Sequence, residues 1–318
     1  MIKVIELFAG VGCQREALNR LDIEYEIVGI SEIDKFAINV YEQLHGKTRN
    51  FGDISKIDKL PESDLWTYSF PCQDLSVIGL QKGIRKGTRS GLLLEVERLL
   101  EVSPKPKYLL MENVKNLLSK KNKPEFEKWC KKLEELGYTN YYKIINSKDY
   151  GVPQNRERVF MVSILGEHDI YNFPRTKRLK IKFKDVVRDR IPVKDKAIDS
   201  FLGKKEFFRK RFTTVNGDLY AMCLTTKNSE YLITNNFYTD DYAKYSLDEV
   251  SKNNIKCYIP SPRECWNLMG WDEERFNQIK GISNTQLCKL AGNGIVVDVL
   301  YYIFKKMFKK EIEDEEEN

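Results

Sequence analysis

The chain has 318 residues, 42% hydrophobic and 31% charged, a globular balance that excludes a disordered or fibrous class and allows a sizeable core in one large domain or two smaller ones. Seven scattered cysteines with no CxxC pair, and only two histidines, His45 and His168, argue against a disulfide framework, a zinc site or a histidine-centred triad; no metal is expected, and acid–base work falls to carboxylates, Lys, Arg or Cys. The net charge of +6 is uneven, with fifteen Lys/Arg against five Asp/Glu in 174–211 and six acids without a base in the tail EIEDEEEN (311–318).

A polyanionic partner and a merely solvated basic face are both open on charge alone, and the tail is expected to be disordered. MIKVIELFAG is too short an apolar run, broken by Glu6, to be a signal peptide. No apolar run is expected to approach the ~20 residues of a membrane span. A soluble, cytoplasmic protein is therefore expected, with no membrane partner.

KVIELFAG reads as a strand ending in a glycine turn, and CQREALNRLD as the helix after it. Gly10 and Gly12 let a ligand approach the backbone, but Arg15 stands where a dinucleotide fingerprint needs its third glycine; a nucleotide-like ligand and a purely structural turn both remain open. EIVGISEID is a second strand ending at Glu32, 20 residues after Gly12. An acid there accepts hydrogen bonds from ribose hydroxyls, or simply sits at a helix N-terminus. KFAINVYEQLHG is the next helix, closed by Gly46. Asp53 suits an adenine amino group, with Ile54 and Phe8 covering the ring faces, or is a turn residue.

LWTYSF is a third strand and runs into Pro71–Cys72. A thiol at the C-terminal end of a parallel strand sits where open α/β sheets bind ligands. The loop QDLSVIGLQKGIRKGTRSG spaces four glycines with Lys82, Arg85, Lys86 and Arg89, the make-up of a segment that closes over a polyanion. Strand end and basic flank favour a reactive thiol over an inert one. After the helical LLLEVERLLEV, PKYLLMENV is a fourth strand. Its Glu112 lies along the same crevice edge as Cys72, either as an acid that protonates an electron-poor ring attacked by the thiol, or as a helix-capping acid.

EFEKWCKKLEELGY is an amphipathic helix ended by Gly137; NYYKIINS and RVFMVSIL are further strands. Between them Gln154, Arg156 and Arg158 alternate on one side of an extended segment. One arginine can hold a substrate oxygen and another a phosphate or Glu112, with surface salt bridges as the plainer reading. The alternation over 1–166 predicts an α/β fold, a doubly wound, mostly parallel sheet. Residues 174–260 are poor in helical pattern and predict short strands and loops. SPRECWNLMGW then starts a helix at Pro262, and NTQLCKLAGNGIVVDVLYYIFKKMF reads as helix, glycine turn and apolar helix. The division expected is a core of 1–173 plus 270–310, an inserted module at 174–269, and the tail 311–318.

In this order ELFAGVG, SEIDKFA, GDI, FPCQDLS, MENV, QNRER, RECWNLMGW and AGNG resemble the DNA (cytosine-5) methyltransferase family, over nearly the whole chain except about 174–260 and the tail. The resemblance implies the S-adenosylmethionine-dependent methyltransferase fold with a smaller inserted target-recognition domain. It implies S-adenosyl-L-methionine as cofactor, a monomer acting on double-stranded DNA, and room for a cognate restriction endonuclease as companion. The target cytosine would be flipped out of the duplex, Cys72 would attack ring carbon 6, protonated Glu112 would hold the ring nitrogen, and carbon 5 would take the methyl group. Arg156 and Arg158 would support the base; Phe8, Gly10, Gly12, Glu32, Asp53, Ile54 and Asn293 would form the cofactor site; Gln154, and Thr225 and Thr226 of CLTT (223–226), would meet DNA. Cys13 stands where the family often has glycine, Ser69 where glycine is usual, and Gly294 where serine is common; none removes a catalytic group.

Three rivals remain. A tRNA methyltransferase of the same fold would carry Cys-Phe-Thr where Cys223-Leu224-Thr225 stands. A non-catalytic DNA-binding protein would have no need of both Cys72 and Glu112. A nicotinamide oxidoreductase is weakened by the missing glycine. The recognition module carries no legible base code.

Overall fold

The computed structural model describes residues 1–71, 90–179, 181–187, 191–192, 212–214, 221–224, 232–234 and 257–309. Two compact units result: Met1–Asn146 with Glu157–Arg175 and Val299–Asn318, and Ser147–Arg156 with Thr176–Asp298. Cys72 and its basic loop, Thr225, Thr226, most of 174–260 and the tail 311–318 lie outside the described residues.

The first unit begins with β1 (Ile2–Leu7), α1 (Cys13–Asn19), β2 (Tyr25–Ser31), α2 (Lys35–His45), β3 (Leu65–Tyr68) and α3 (Leu93–Val102). It continues with β4 (Tyr108–Val114), α4 (Lys123–Glu135) and β5 (Tyr138–Asn146), and, after β6 (Gln154–Asn155) of the second unit, with β7 (Glu157–Leu165). The sheet order is β2-β1-β3-β4-β7-β5. The first four strands are parallel, as the alternation predicts; β7 runs antiparallel to both its neighbours. A short connection (147–156) without a crossover helix joins β5 to β7, which leaves antiparallel pairing as the available course. Every residue of β3 is buried, as a central strand covered on both faces requires. Ile5, Trp66, Leu109 and Met161 pack with Val96 and Leu99 of α3 and with Phe126, Trp129 and Leu133 of α4; the Trp129 indole N–H donates to the Tyr68 hydroxyl at 3.1 Å.

Register fixes where function can sit. Leu7 pairs with Ser31 and with Tyr68, and Tyr68 with Met111. β1, β2 and β3 therefore end level while β4 runs three residues further, and the residues next in register, Phe8, Glu32, Ser69 and Glu112, gather at one edge.

In the second unit β6 pairs with β10 (Ala221–Met222), while β8 (Ile191–Pro192), β12 (Cys257–Ile259), β11 (Leu232–Thr234) and β9 (Phe212–Thr214) form a four-stranded sheet in that order. Among the described residues of 174–260, short strands match the pattern expected there, with one helical turn, α5 (Phe183–Val186). Ser261 and Glu264 close a capping box around Pro262 at the head of α6 (Pro262–Asn267). Then come α7 (Glu273–Gln278), α8 (Asn284–Asn293) and α9 (Val297–Met307), most of which belongs to the first unit. By packing, residues up to Asp298 group with the second unit; the Trp266 indole donates to the Leu287 carbonyl at 3.0 Å and ties α6 to α8.

One expectation needs correcting. Asn284–Met307 is long and apolar enough, by length and composition, to cross a membrane. Its apolar window is 67% buried inside the protein, the condition of core helices, and Gly294–Val296 interrupt it between α8 and α9.

Candidate active site

The turn after β1 is wound left-handed. Phe8 (φ 57°), Gly10 (58°) and Gly12 (80°) all have positive φ, a conformation a phenylalanine holds only when its surroundings impose it. A Cβ on Gly12 would lie 2.6 Å from the His45 ring and 2.8 Å from Tyr41, so this glycine is demanded by packing. A Cβ on Gly10 would meet nothing within 4 Å, so the space in front of this peptide admits a ligand.

Glu32 closes the other side. One carboxylate oxygen accepts the Gly10 N–H at 2.8 Å, the other accepts Ile33 and Asp34 N–H at 2.7 and 2.8 Å. Three of about four lone-pair positions are filled, which leaves acceptor capacity for a hydroxyl. Asn50 brackets this end of β2, donating to the Glu32 carbonyl and accepting from Glu32 and Gly52 N–H. Asp53 caps the turn Ile54–Lys56, and the Ser55 hydroxyl and N–H hold its carboxyl below the usual carboxylate range. Ile54 is only 3% exposed and belongs to the core, so it offers little face to a ring. The exposed apolar side chain here is Ile33, 71% accessible beside Glu32, which the sequence reading passed over because it stands between two acids. The donor set fits an adenosyl group: backbone approach at Gly10, acceptors at Glu32 and Asp53, and apolar cover from Phe8 and Ile33.

Beneath the turn Glu6 is fully buried. It accepts the Tyr41 hydroxyl and the Arg15 N–H, and Arg15 reaches Thr48 Oγ1 at 2.8 Å. Burial pushes the Glu6 carboxyl up to about 7, against the lowering pull of Tyr41 and Arg15.

Glu112 ends the sheet edge nearly buried, at 7% exposure. Arg158 Nε lies 3.2 Å from its Oε1, and the Ser69 hydroxyl donates to Oε2. Asn113 donates to the Phe70 carbonyl at 3.1 Å, so β3 and β4 are tied together just before the chain reaches Pro71 and Cys72. Of the roles open to the alternating arginines, Arg158 takes the partner of Glu112.

Gln154 and Arg156 are placed otherwise than alternation predicts. Gln154 is fully buried; its amide donates to the Leu268 carbonyl and accepts the Leu224 N–H. The Arg156 guanidinium, 3% exposed, donates to the carbonyls of Leu224, Gly292 and Gly294 at 2.8–3.0 Å. Both side chains brace the second unit, and Asn293 lies there between two carbonyls that Arg156 holds. Sequence reasoning named Ser69 only as a departure and gave Glu6 no role; both become visible through partners 43 and 35 residues away.

The family description C-5 cytosine-specific DNA methylase matches residues 2–309. The type II methyltransferase M2.ScrFI of Lactococcus lactis subsp. cremoris is 34% identical, over 98% of this chain and 100% of that protein. The orphan methyltransferase M.SssI of Spiroplasma monobiae is 32% identical, over 96% and 97%. The solved structure of S. pombe Dnmt2 methyltransferase superposes with a TM-score of 0.77 at 20% identity, over 97% of this chain and 98% of that one, a likeness of fold.

Proposed function

From a chain that belongs to the C-5 cytosine-specific DNA methylase family, we propose that its Cys72 and Glu112 act as nucleophile and acid on a cytosine flipped out of double-stranded DNA. The observation that carries this reading is Glu112 near the end of β4, held between Arg158 and Ser69 and beside the strand that leads into Cys72. The fold is that of S-adenosylmethionine-dependent methyltransferases.

The Cys72 sulfur forms a bond to ring carbon 6. Glu112 holds a proton at ring nitrogen 3, so the electron pair displaced by sulfur is not stranded as an anion, and carbon 5 becomes nucleophilic. S-adenosylmethionine, when bound by Phe8, Gly10, Glu32 and Asp53, would supply the electrophilic methyl group for carbon 5. A base from solvent then takes the carbon 5 proton, the proton at ring nitrogen 3 returns to Glu112, and the electron pair released at carbon 5 restores the ring double bond as it expels the Cys72 thiolate. Arg158 keeps the Glu112 carboxyl aimed, while Thr225 and Thr226, with the basic segment 174–211, meet the DNA.

The test is transfer of labelled methyl to duplex DNA, with tRNA alongside, by the wild type, Cys72→Ser and Glu112→Gln. The expected product is 5-methylcytosine in DNA, abolished in Cys72→Ser and reduced by about 100-fold or more in Glu112→Gln. Label in tRNA instead assigns an RNA substrate; full activity in Cys72→Ser removes the covalent route.

A further inference from the structure

The two oxygens of Glu112 have unlike partners. Oε1 faces Arg158 Nε at 3.2 Å, and Oε2 faces the Ser69 hydroxyl at 2.5 Å. A guanidinium only donates, so Oε1 must keep its lone pair toward it and has no place for a proton along that line. A serine hydroxyl donates and accepts, and it turns about Cβ–Oγ with little hindrance. It can give its hydrogen to Oε2 when Glu112 is a carboxylate and equally when Glu112 is an acid. Both contacts therefore hold in either state, and the acidic proton sits on a lone pair that neither partner occupies, where it stays free for the ring nitrogen.

We infer that Ser69 is a positioning residue for the reaction: its hydroxyl holds the Glu112 carboxyl plane against Arg158 in the carboxylate and in the acid alike. Ser69 lies three residues before Cys72, and the next residue, Phe70, is anchored to β4 by Asn113. The strand that delivers the nucleophile is thus the strand that aims the acid. This role presupposes that Glu112 is the acid in the cytosine chemistry.

The full chain is compared as wild type, Ser69→Ala, Ser69→Thr and Glu112→Gln, each with its melting temperature and S-adenosylmethionine affinity measured alongside. Losing one hydrogen bond to a charged group predicts a kcat about ten-fold lower or more for Ser69→Ala, with both KM values within two-fold and melting unchanged. Ser69→Thr, which keeps the hydroxyl, should recover kcat to within about three-fold. DNA carrying 5-fluorocytosine gives a second readout: fluorine cannot leave carbon 5 as a proton does, so the Cys72 adduct persists, and Ser69→Ala should form it as many times more slowly as its kcat falls. A wild-type kcat in Ser69→Ala overturns the role. Equal losses in Ala and Thr, or a loss that tracks melting, also overturn it. Glu112→Gln with full transfer overturns the acid reading itself, separately from anything Ser69 shows.

Discussion

Gly10 and Gly12 share a left-handed backbone and differ in what stands before them. The Gly12 Cβ position is filled by His45 and Tyr41; the Gly10 position is open. Gly12→Ala should therefore destabilise the fold by about 2–4 kcal/mol, from positive φ and overpacking together. Gly10→Ala should cost only the ~1 kcal/mol of backbone conformation but weaken S-adenosylmethionine binding, because its methyl enters the ligand's space. Urea unfolding and calorimetric titration of both variants separate the two; unchanged cofactor affinity in Gly10→Ala would mean that this opening is not where the cofactor approaches. The sequence marks both glycines alike, since what distinguishes them is a histidine 33 residues downstream of Gly12. For the same reason Arg158 as partner of Glu112 was among the readings open from sequence, whereas Ser69 was visible only as an odd residue.

At the level of elements, local signals were legible because they are local: Asp34 caps α2, Gly46 ends it, and Ser261 with Glu264 brackets α6. The alternation of Gln154, Arg156 and Arg158 misled because period two holds only within one strand. β6 stops at Asn155 and β7 starts at Glu157, so Arg156 sits at a break and turns into the second unit. Arg156→Ala leaves the carbonyls of Leu224, Gly292 and Gly294 without their donors and should cost roughly 3 kcal/mol or more. Arg156→Lys should recover only part, since one ammonium cannot reproduce the guanidinium fork. Hydrogen exchange around residues 221–224 and 290–294 reads the effect; wild-type protection in Arg156→Ala would remove the bracing role.

For the molecule as a whole, the pattern of alternating strands and helices in 1–166 was enough to indicate the class and the parallel core. It was silent on the reversal of β7, which depends on the absence of a crossover, and on the grouping of residues before Val299 with the second unit, which depends on long-range packing. Global stability carries a signature that sequence alone also hides. The buried Glu6 binds its proton up to about pH 7, while in the unfolded chain it releases it near 4.5. The folded state thus holds a proton the unfolded state has lost, and stability falls as pH rises through that window, by on the order of 3 kcal/mol in all, then levels off. Glu6→Gln should flatten this contribution. Urea midpoints taken from about pH 4.5 to 7.5 for both proteins check it; parallel curves would show that Glu6 is not the titrating group.

Phe304 and Phe308 are fully buried, and Phe308 packs edge-on against Tyr108, the first residue of the strand that carries Glu112. A ribosome adding about 5–20 residues per second needs roughly 10–40 s to travel from Tyr108 to Phe308. Throughout that interval the nascent sheet waits with one end of its acid-bearing strand uncovered. Newly made chain carries that exposed apolar face for as long, the condition in which unfinished proteins aggregate, and a chain cut short before Phe304 has a sheet that is never closed at that end.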